Sequence, residues 1–365
     1  MKYINEFRDS VVCKKLLEDL NVKADKKINI MEVCGTHTMS IFRYGLRELL
    51  PKNINLISGP GCPVCVTAQG YIDMAINLSK RKDIIITTFG DLMRIPGSEG
   101  TLSISKGVGG DIRVIYSPID IIEIARENIE NEVVFLAIGF ETTTPIIAET
   151  IRKAKSEKIN NISFLVANKK MPQVLEKLVI DNDIHINGFL LPGHVSSIIG
   201  VKPYEFLSSR YNIAGVISGF EPTDILTSII KLVDLIKDNN FIILNNYERA
   251  VKNTGNIKAI EAIKEVFDND NSYWRGFGEI KNSGYKINNK YEEFDAIKKF
   301  SIIVDNNEGV SSCRCGDILK GNISPDKCTL FNNKCNPENP IGPCMVSNEG
   351  ACAAWYKYKS KYQIN

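Results

Sequence analysis

The segment from Cys313 to Cys352 constrains the fold of this chain most, because it holds six of the ten cysteines. It reads CRCGDILKGNISPDKCTLFNNKCNPENPIGPCMVSNEGAC. Gly and Pro interrupt any helical or strand period in it, and its apolar residues are too few for an ordinary core. Such a segment becomes ordered only if crosslinks replace the missing core, and these can be a metal cluster, disulfides or zinc.

The composition narrows the class of protein. A length of 365 residues predicts two or three domains, and 44% hydrophobic with 24% charged residues is typical of a globular chain. The formal charge of +2, with both signs scattered, favours neither nucleic acid nor a membrane surface as a partner. The chain starts without an apolar signal core and has no run of bilayer length, so we expect a cytoplasmic protein. In that reducing compartment, clustered cysteines are more often metal ligands or redox-active thiols than disulfides.

Apolar, β-branched runs that alternate with helical patterns indicate parallel strands covered on both faces. They are residues 28–33, 54–58, 83–88, 132–139, 162–167, 186–191 and 213–218. The predicted fold class is therefore α/β, with two Rossmann-like parallel-sheet units and a separate cysteine-rich C-terminal region. A helix is predicted over residues 5–20, in which Cys13 is interpreted as a small buried hydrophobe.

A weak internal repeat suggests how the two units divide the chain. GFETTTP (139–145) and GFEPTDI (219–225) each follow a predicted strand and precede a helix. We predict a first α/β domain over residues 26–125 and a second over residues 126–238. A third region combines residues 1–25 with residues 239–365.

The side chains with the most chemistry follow the predicted strands. Ligands of parallel α/β sheets bind at the carboxyl ends of the strands, so we expect these side chains to border one cleft. They are Cys34, Thr36, His37, Thr38, Cys62, Cys65, Glu141, His194 and Glu221.

The three cysteines of this group have more than one interpretation. Cys62 and Cys65 form a CxxC, which serves either as half of a metal site or as a dithiol–disulfide couple. Cys34 is either a buried small residue or a nucleophile or soft-metal ligand. In the second case the amides that open the next helix would lower the pKa of its thiol.

The histidines and glutamates also have structural interpretations. His37 and His194 are two of only three histidines, and each by itself is more often a packing or capping residue than a ligand. Glu141 and Glu221, if they stand at helix starts, could simply accept hydrogen bonds from unpaired amides. Their shared location favours a functional interpretation.

Taken together, these motifs resemble the HypD family of [NiFe]-hydrogenase maturation proteins. The match covers about residues 28–358. The resemblance rests on MEVCGTHT (31–38), GPGCPVC (59–65), GFETTTP (139–145), LPGHVSS (191–197), GFEP (219–222) and the terminal CRCGD…CTLF…CNPENPIGPCMVSNEGACAAWYKY.

The resemblance implies a cytoplasmic metallocentre assembly factor with redox chemistry, bearing a [4Fe-4S] cluster. Its implied partners are HypC, with which it holds the iron of the Fe(CN)2CO unit, and HypE, which supplies cyanide as a protein thiocyanate. The hydrogenase large subunit is an indirect partner. Carried onto this sequence, Cys34 is the iron-holding thiol, with His194 and Glu141 close by. Cys62 and Cys65 are the neighbouring pair, which either binds the same iron or passes electrons.

A [4Fe-4S] cluster needs four thiolates, so two of the six tail cysteines are left over. One assignment takes Cys313, Cys328, Cys335 and Cys352 as ligands and leaves Cys315 and Cys344 as a redox pair. The other takes Cys315 in place of Cys313. A resemblance to the site of ferredoxin:thioredoxin reductase favours the first.

Two functions of other classes stay open at this point. The chain could be an iron–sulfur thiol–disulfide oxidoreductase acting on protein disulfides. It could also be a non-catalytic scaffold in which an iron–sulfur cluster only orders the tail.

Overall fold

The computed structural model of the chain describes residues 5–181, 185–304 and 312–362, with the backbone alone for residues 359–362. The strands are β1 (Ile28–Glu32), β2 (Ile54–Ser58), β3 (Ile84–Thr88), β4 (Asp111–Val114), β5 (Glu132–Ala137), β6 (Ile162–Val166), β7 (Gly188–Pro192), β8 (Ala214–Ser218), β9 (Ile243–Asn245), β10 (Phe267–Trp274) and β11 (Gly278–Ile287).

The helices alternate with the strands as far as β9. They are α1 (Ser10–Lys23), α2 (Gly35–Arg43), α3 (Leu46–Leu49), α4 (Gln69–Ser79), α5 (Leu102–Gly107), α6 (Ile121–Glu127), α7 (Thr144–Ser156), α8 (Met171–Ile180), α9 (Gly193–Ile199), α10 (Glu205–Tyr211), α11 (Pro222–Lys237), α12 (Ile257–Val266), α13 (Ala296–Lys299), α14 (Cys315–Lys320), α15 (Pro343–Val346) and α16 (Ala351–Tyr362). Short 3-10 helices lie at Asn5–Arg8, Gly90–Arg94, Pro118–Asp120, Lys202–Tyr204, Asn289–Phe294 and Pro325–Lys327. Within the described ranges, no helix is both long enough and apolar enough to cross a bilayer.

The strands form two parallel sheets and one hairpin. A five-stranded sheet has the order β2-β1-β7-β8-β9, and a four-stranded sheet has the order β4-β3-β5-β6. Strands β10 and β11 pair antiparallel. Every residue of β3, β7 and β8 is buried, as expected of parallel strands with helices on both faces. The predicted α/β class is confirmed, and each of the seven predicted strands forms.

The two sheets do not follow the predicted domain boundaries. Strands β1 and β2 join β7, β8 and β9, while β3 to β6 build the other sheet, so the four-stranded unit is inserted into the five-stranded one. The predicted boundary between residues 125 and 126 therefore falls inside the four-stranded sheet. Apolar runs show that a strand is buried but carry no information on its partner. The two echoed GFE motifs do lie one in each unit, after β5 and after β8.

The segments grouped as a third region pack in separate places. Leu20 of α1 joins the core of the five-stranded sheet beside α11, with half-buried Cys13 packed against it. Phe267 and Ile287 of the hairpin join the core of the four-stranded sheet. The cysteine-rich tail, in its described part, adds no strand to either sheet. Residues 1–4, 182–184, 305–311 and 363–365 of the predicted regions lie outside the described residues.

The tail packs on the carboxyl ends of both sheets. Its cysteines share one buried apolar cluster with Cys62 and Cys65 from the loop after β2 and with Phe140 from the loop after β5. Trp274, at the end of β10, is fully buried in the same cluster. The strand ends, the hairpin and the tail therefore meet at one place.

Candidate functional site

Cys34 lies where the strand order of the five-stranded sheet reverses. β2 lies on one side of β1 and β7 on the other, and Cys34 follows β1. In open α/β sheets this crevice is where ligands bind. The residue has extended backbone angles (φ −143°, ψ 125°) and is the N-cap of α2, and its side chain is buried.

The environment of the Cys34 thiol favours the protonated form in the metal-free protein. Burial raises the pKa of Cys34 to about 12, and the nearby carboxyl of Glu349 adds to this effect. The amides of Thr36 and His37 oppose it but do not outweigh burial. The helix amides therefore act in the predicted direction, but the net pKa of the thiol is raised rather than lowered, because burial is the larger effect. A soft metal ion that takes the place of the proton would reverse the balance.

The CxxC loop lies directly against Cys34. A Cβ atom on Gly61 would lie 2.5 Å from both Cα and N of Cys34, so only glycine allows this approach. The Gly35 amide donates to the Gly61 carbonyl at 3.0 Å. Within the loop, the Cys65 amide donates to Cys62 Sγ at 3.2 Å, and both cysteines are buried. The structure thus places the loop that carries the CxxC pair against the backbone of Cys34.

A loop of the tail closes over the start of α2. The Thr36 hydroxyl donates to Glu349 Oε1 at 2.9 Å, and a Cβ atom on Gly35 would lie 2.5 Å from Glu349 Cβ. The Ser347 hydroxyl donates to Asp91 Oδ2 at 2.9 Å and fixes the same loop to the four-stranded unit. The tail therefore covers Cys34 and contacts both sheets.

The tail also places a thiol on the CxxC pair. The Cys65 and Cys344 side chains are hydrogen-bonded, and Cys344 is buried. Burial, followed by the Cys344 and Cys62 thiols, raises the pKa of Cys65. Cys344 in turn lies near Cys352. A series of sulfur atoms therefore runs from the CxxC loop into the tail.

The four cysteines predicted as cluster ligands interact with one another. Burial, and after it the thiols of Cys344, Cys313, Cys335 and Cys328, raise the pKa of Cys352. The ten cysteines all lie in the described part of the chain, and none of them forms a disulfide there. Cys315 contacts Cys313 through its side chain.

The donor set can be tested against the two kinds of metal site. Among the described residues, no three His, Cys, Asp or Glu side chains converge on a point as ligands of a single metal ion. A structural zinc needs such convergence, whereas an iron–sulfur cluster takes each thiolate on a different iron. The Ile341 amide also donates to Cys335 Sγ at 3.4 Å, a contact that favours a thiolate. The four proposed ligands, of which Cys335 and Cys352 are buried and Cys313 and Cys328 half-buried, are an all-sulfur donor set of the kind that an iron–sulfur cluster takes.

Both histidines of the site contact Phe220. The His37 ring lies 4.7 Å from the Phe220 ring and the His194 ring 4.0 Å from it. His37 Nε2 faces the carbonyls of Gly219 (3.0 Å) and Ser218 (3.3 Å), so it carries the proton. Burial lowers the pKa of His37 to about 4, which keeps the ring neutral. His194 is exposed, and partial burial lowers its pKa.

Glu141 and Glu221 both stand at helix starts. The Glu141 carboxylate accepts from the Met171 amide, at 3.0 and 3.2 Å, and so caps α8. Burial raises the pKa of Glu141 to about 7. Glu221 is the N-cap of α11 and is bound by Arg8 Nη2 at 2.8 Å and by the Tyr44 hydroxyl at 3.2 Å. Glu221 therefore anchors the N-terminal segment. Thr38, also predicted for the cleft, is buried, with its hydroxyl 3.5 Å from the Cys34 carbonyl.

Comparison with known proteins identifies the family. The family model HypD, described as the hydrogenase formation hypA family, matches residues 11–359. The chain belongs to the HypD family of hydrogenase maturation factors. It is 45% identical to hydrogenase maturation factor HypD2 of Bradyrhizobium diazoefficiens, over 98% of this chain and 97% of that one. It is 42% identical to HypD of Rhodobacter capsulatus over 98% of both chains, and 40% identical to HypD of Escherichia coli K12 over 99% of both.

Sequence reasoning does not single out three side chains of this HypD site, of which Tyr204 and Arg275 are buried and Glu349 is half-buried. Tyr204 is fully buried, and both Glu141 and Cys34 act on its hydroxyl. Glu349 covers Cys34, and Arg275 lies between the CxxC loop and the tail. The only sequence signal for Glu349 is its place within the tail motif. Tyr204 and Arg275 lie in stretches without unusual chemistry.

Proposed function

We propose that this HypD-family chain holds iron at Cys34 while the Fe(CN)2CO unit of the [NiFe]-hydrogenase active site is built on it, with HypC and HypE as partners. The hydrogen-bonded thiols of Cys65 and Cys344 carry the proposal. They join the cysteine-rich tail to the loop that lies against Cys34, and so offer electrons a path to the cargo iron. The hydrogenase large subunit is the later recipient of the finished unit.

The resident cofactor of this proposal is a [4Fe-4S] cluster on Cys313, Cys328, Cys335 and Cys352. Four buried or half-buried thiols that act on one another, and no other donor type, suit this group. Cys315 remains the alternative to Cys313, because the two side chains are in contact. When bound, the cluster supplies single electrons.

The CxxC pair provides the two-electron chemistry. Cys62 and Cys65 can exist as a dithiol or as a disulfide. As a dithiol, they reduce the protein thiocyanate presented by HypE. The S–C bond breaks, the HypE sulfur leaves as a thiol with one proton, and cyanide binds the iron at Cys34 as the second proton is released. The two cysteine sulfurs are oxidised to a disulfide, which balances atoms and electrons.

Two electrons must then return to the CxxC disulfide. Cys344 is the residue we propose for this step, because its thiol is hydrogen-bonded to Cys65 and lies near Cys352. We assign Cys315 and Cys344 as the redox pair of the tail, each beside a proposed cluster ligand. Cys315 touches Cys313 and Cys344 lies near Cys352.

The proposed roles of His194 and Glu141 differ in how directly they reach the iron. His194 stands at the exposed edge of the site on Phe220, from which it can donate a hydrogen bond to the nitrogen of the incoming cyanide. We assign Glu141 an indirect role through Tyr204, because the charges of Glu141 and of Cys34 both raise the pKa of the Tyr204 hydroxyl. We therefore expect Glu141 to orient the iron site and His194 to contact the ligand.

Infrared spectroscopy of the complex with HypC tests the iron-holding role. Cys34→Ala in that complex should abolish the CN and CO bands. Cys13→Ala is the matched control, because Cys13 packs in the core of the five-stranded sheet, away from the thiol site. CN and CO bands of normal intensity in Cys34→Ala would rule out Cys34 as the obligatory ligand.

The iron content separates the proposal from its competitors. Assembly predicts a fifth iron with diatomic ligands in the complex with HypC. A thiol–disulfide oxidoreductase or a scaffold would hold the four cluster irons alone. Turnover with a thioredoxin-like substrate would favour the oxidoreductase.

A further inference from the structure

Arg275 is a buried cation on the CxxC side of the tail. The residue is 6% exposed and directly follows the strand β10. Its amide donates to the Val66 carbonyl at 2.8 Å, and its Nε donates to the Thr67 carbonyl at 2.9 Å. Val66 and Thr67 directly follow Cys65. Arg275 is thus fixed to the loop that carries the CxxC pair.

The next residue contacts the cysteine-rich tail. Gly276 has a φ of +81°, and a Cβ atom on it would lie 2.3 Å from Gly316 Cα. Gly316 follows Cys315, so the turn between β10 and β11 is seated on the backbone of the first tail cysteines. The hairpin therefore fixes the position of Arg275 from both sides.

The guanidinium of Arg275 lies between the CxxC loop and the first cysteines of the tail. Its backbone amide and its Nε are bound to the two carbonyls that follow Cys65, and the next residue is seated on Gly316, which follows Cys315. A negative group held by these tail cysteines would therefore lie close to a fixed positive charge.

Arg275 lacks a carboxylate partner in the described part of the chain. Its Nη2 is buried without a hydrogen-bond acceptor, and no ion pair joins it to an Asp or Glu there. The half-buried arginines Arg47, Arg113 and Arg152, in contrast, each have a carboxylate partner. A buried cation without an anion is costly, so the position of Arg275 favours negative charge nearby. No Asp or Glu of the described residues supplies that charge in an ion pair with Arg275.

We propose that Arg275 is the charge partner of the tail cluster, which raises the reduction potential of the cluster and fixes it against the CxxC loop. The inference rests on the proposed function, because it requires the cluster. Four thiolates outweigh the positive core of a [4Fe-4S] cluster, and reduction adds one more negative charge. A buried guanidinium stabilises the reduced state more than the oxidised state. Arg275 is thus a positioning residue.

The test is an anaerobic redox titration of the full chain with its cluster, monitored by electron paramagnetic resonance. Arg275→Gln removes the charge and should lower the ratio of reduced to oxidised cluster at a fixed potential at least tenfold, which is about 59 mV for one electron. Arg275→Lys keeps the charge and should stay within threefold of wild type. The control is Arg314→Gln. Arg314 adjoins Cys313 in sequence, but it is exposed and paired with Asp317 at 2.9 Å, so its loss should change the ratio little.

Each outcome of the redox titration either supports or overturns the inference about Arg275. A ratio in Arg275→Gln no different from that in Arg314→Gln would overturn the inference, as would a tenfold loss in Arg275→Lys. If Arg275→Gln binds no cluster, Arg275→Lys with iron content and potential near wild type supports the charge role. A wild-type chain without four irons would instead refute the proposed function itself.

Discussion

The substitution Glu141→Gln tests the cost of holding a carboxyl in the buried site. Burial raises the pKa of Glu141 from 4.5 to about 7. At 1.36 kcal/mol for each unit of pKa, ionising this group costs the folded protein roughly 3 kcal/mol. A glutamine in its place would stay neutral at every pH, and the amide oxygen can still accept from the Met171 amide, so the helix cap is kept.

The sign of the effect follows from the raised pKa. A carboxyl with a raised folded pKa favours folding below the ordinary value of 4.5, and that contribution is lost as the pH rises through about 7. Wild type and Glu141→Gln should therefore be about equally stable near pH 5. Near pH 8 we expect the variant to be the more stable by roughly 3 kcal/mol.

Unfolding midpoints of the two proteins, measured in parallel at both pH values, give the comparison. Because the chain has several units, the difference between the two proteins is the quantity to use rather than an absolute free energy. An equal difference in unfolding midpoint at about pH 5 and about pH 8 would refute the argument, since it would show that folding does not raise the pKa of Glu141.

Two further substitutions test the anchoring of the site. Gly35→Ala puts a methyl group 2.5 Å from Glu349 Cβ, so it should destabilise the docked tail by about 1–3 kcal/mol and lower the iron content. Gly107→Ala is the control, because its added methyl group has open space around it and should change neither quantity. Equal iron content and unfolding midpoints in the two variants would contradict the packing. Glu221→Gln removes the carboxylate partner of Arg8. Because Arg8 lowers the pKa of Glu221 in the folded protein, the variant should be slightly less stable than wild type at neutral pH. This difference should vanish on acidification, when the wild-type carboxylate is protonated. A destabilisation that persists at low pH in urea unfolding would show that the ion pair is not its cause.

The strands could be predicted because burial on both faces leaves a continuous apolar run. Strand β4 (Asp111–Val114) and strand β9 (Ile243–Asn245) could not, since both lie at sheet edges and are partly exposed. The hairpin of β10 and β11 carries polar residues such as Asp270, which conceal its strand character. Which sheet a strand joins depends on packing between helices far apart in the chain, and no local pattern records it.

The sequence predicts which residues follow the strand ends better than it predicts their pKa values and their contacts with the tail. Parallel strands end at one edge, and this rule alone brings Cys34 to the CxxC loop. The high pKa of Cys34 depends on the tail loop of Glu349 that covers it, and the contact of Cys344 with Cys65 depends on how the tail packs. These are contacts between residues far apart in the chain, and spacing in the sequence cannot reveal them.

The central claim is that the tail passes electrons to the CxxC pair through Cys344. The direct measurement starts with an oxidised Cys62–Cys65 pair, reduces the cluster anaerobically, and counts labelled thiols at these two positions by mass spectrometry. We predict that wild type and Cys13→Ala gain label at both positions, and that Cys344→Ala with full iron content gains none. Equal labelling in Cys344→Ala and wild type would contradict the account.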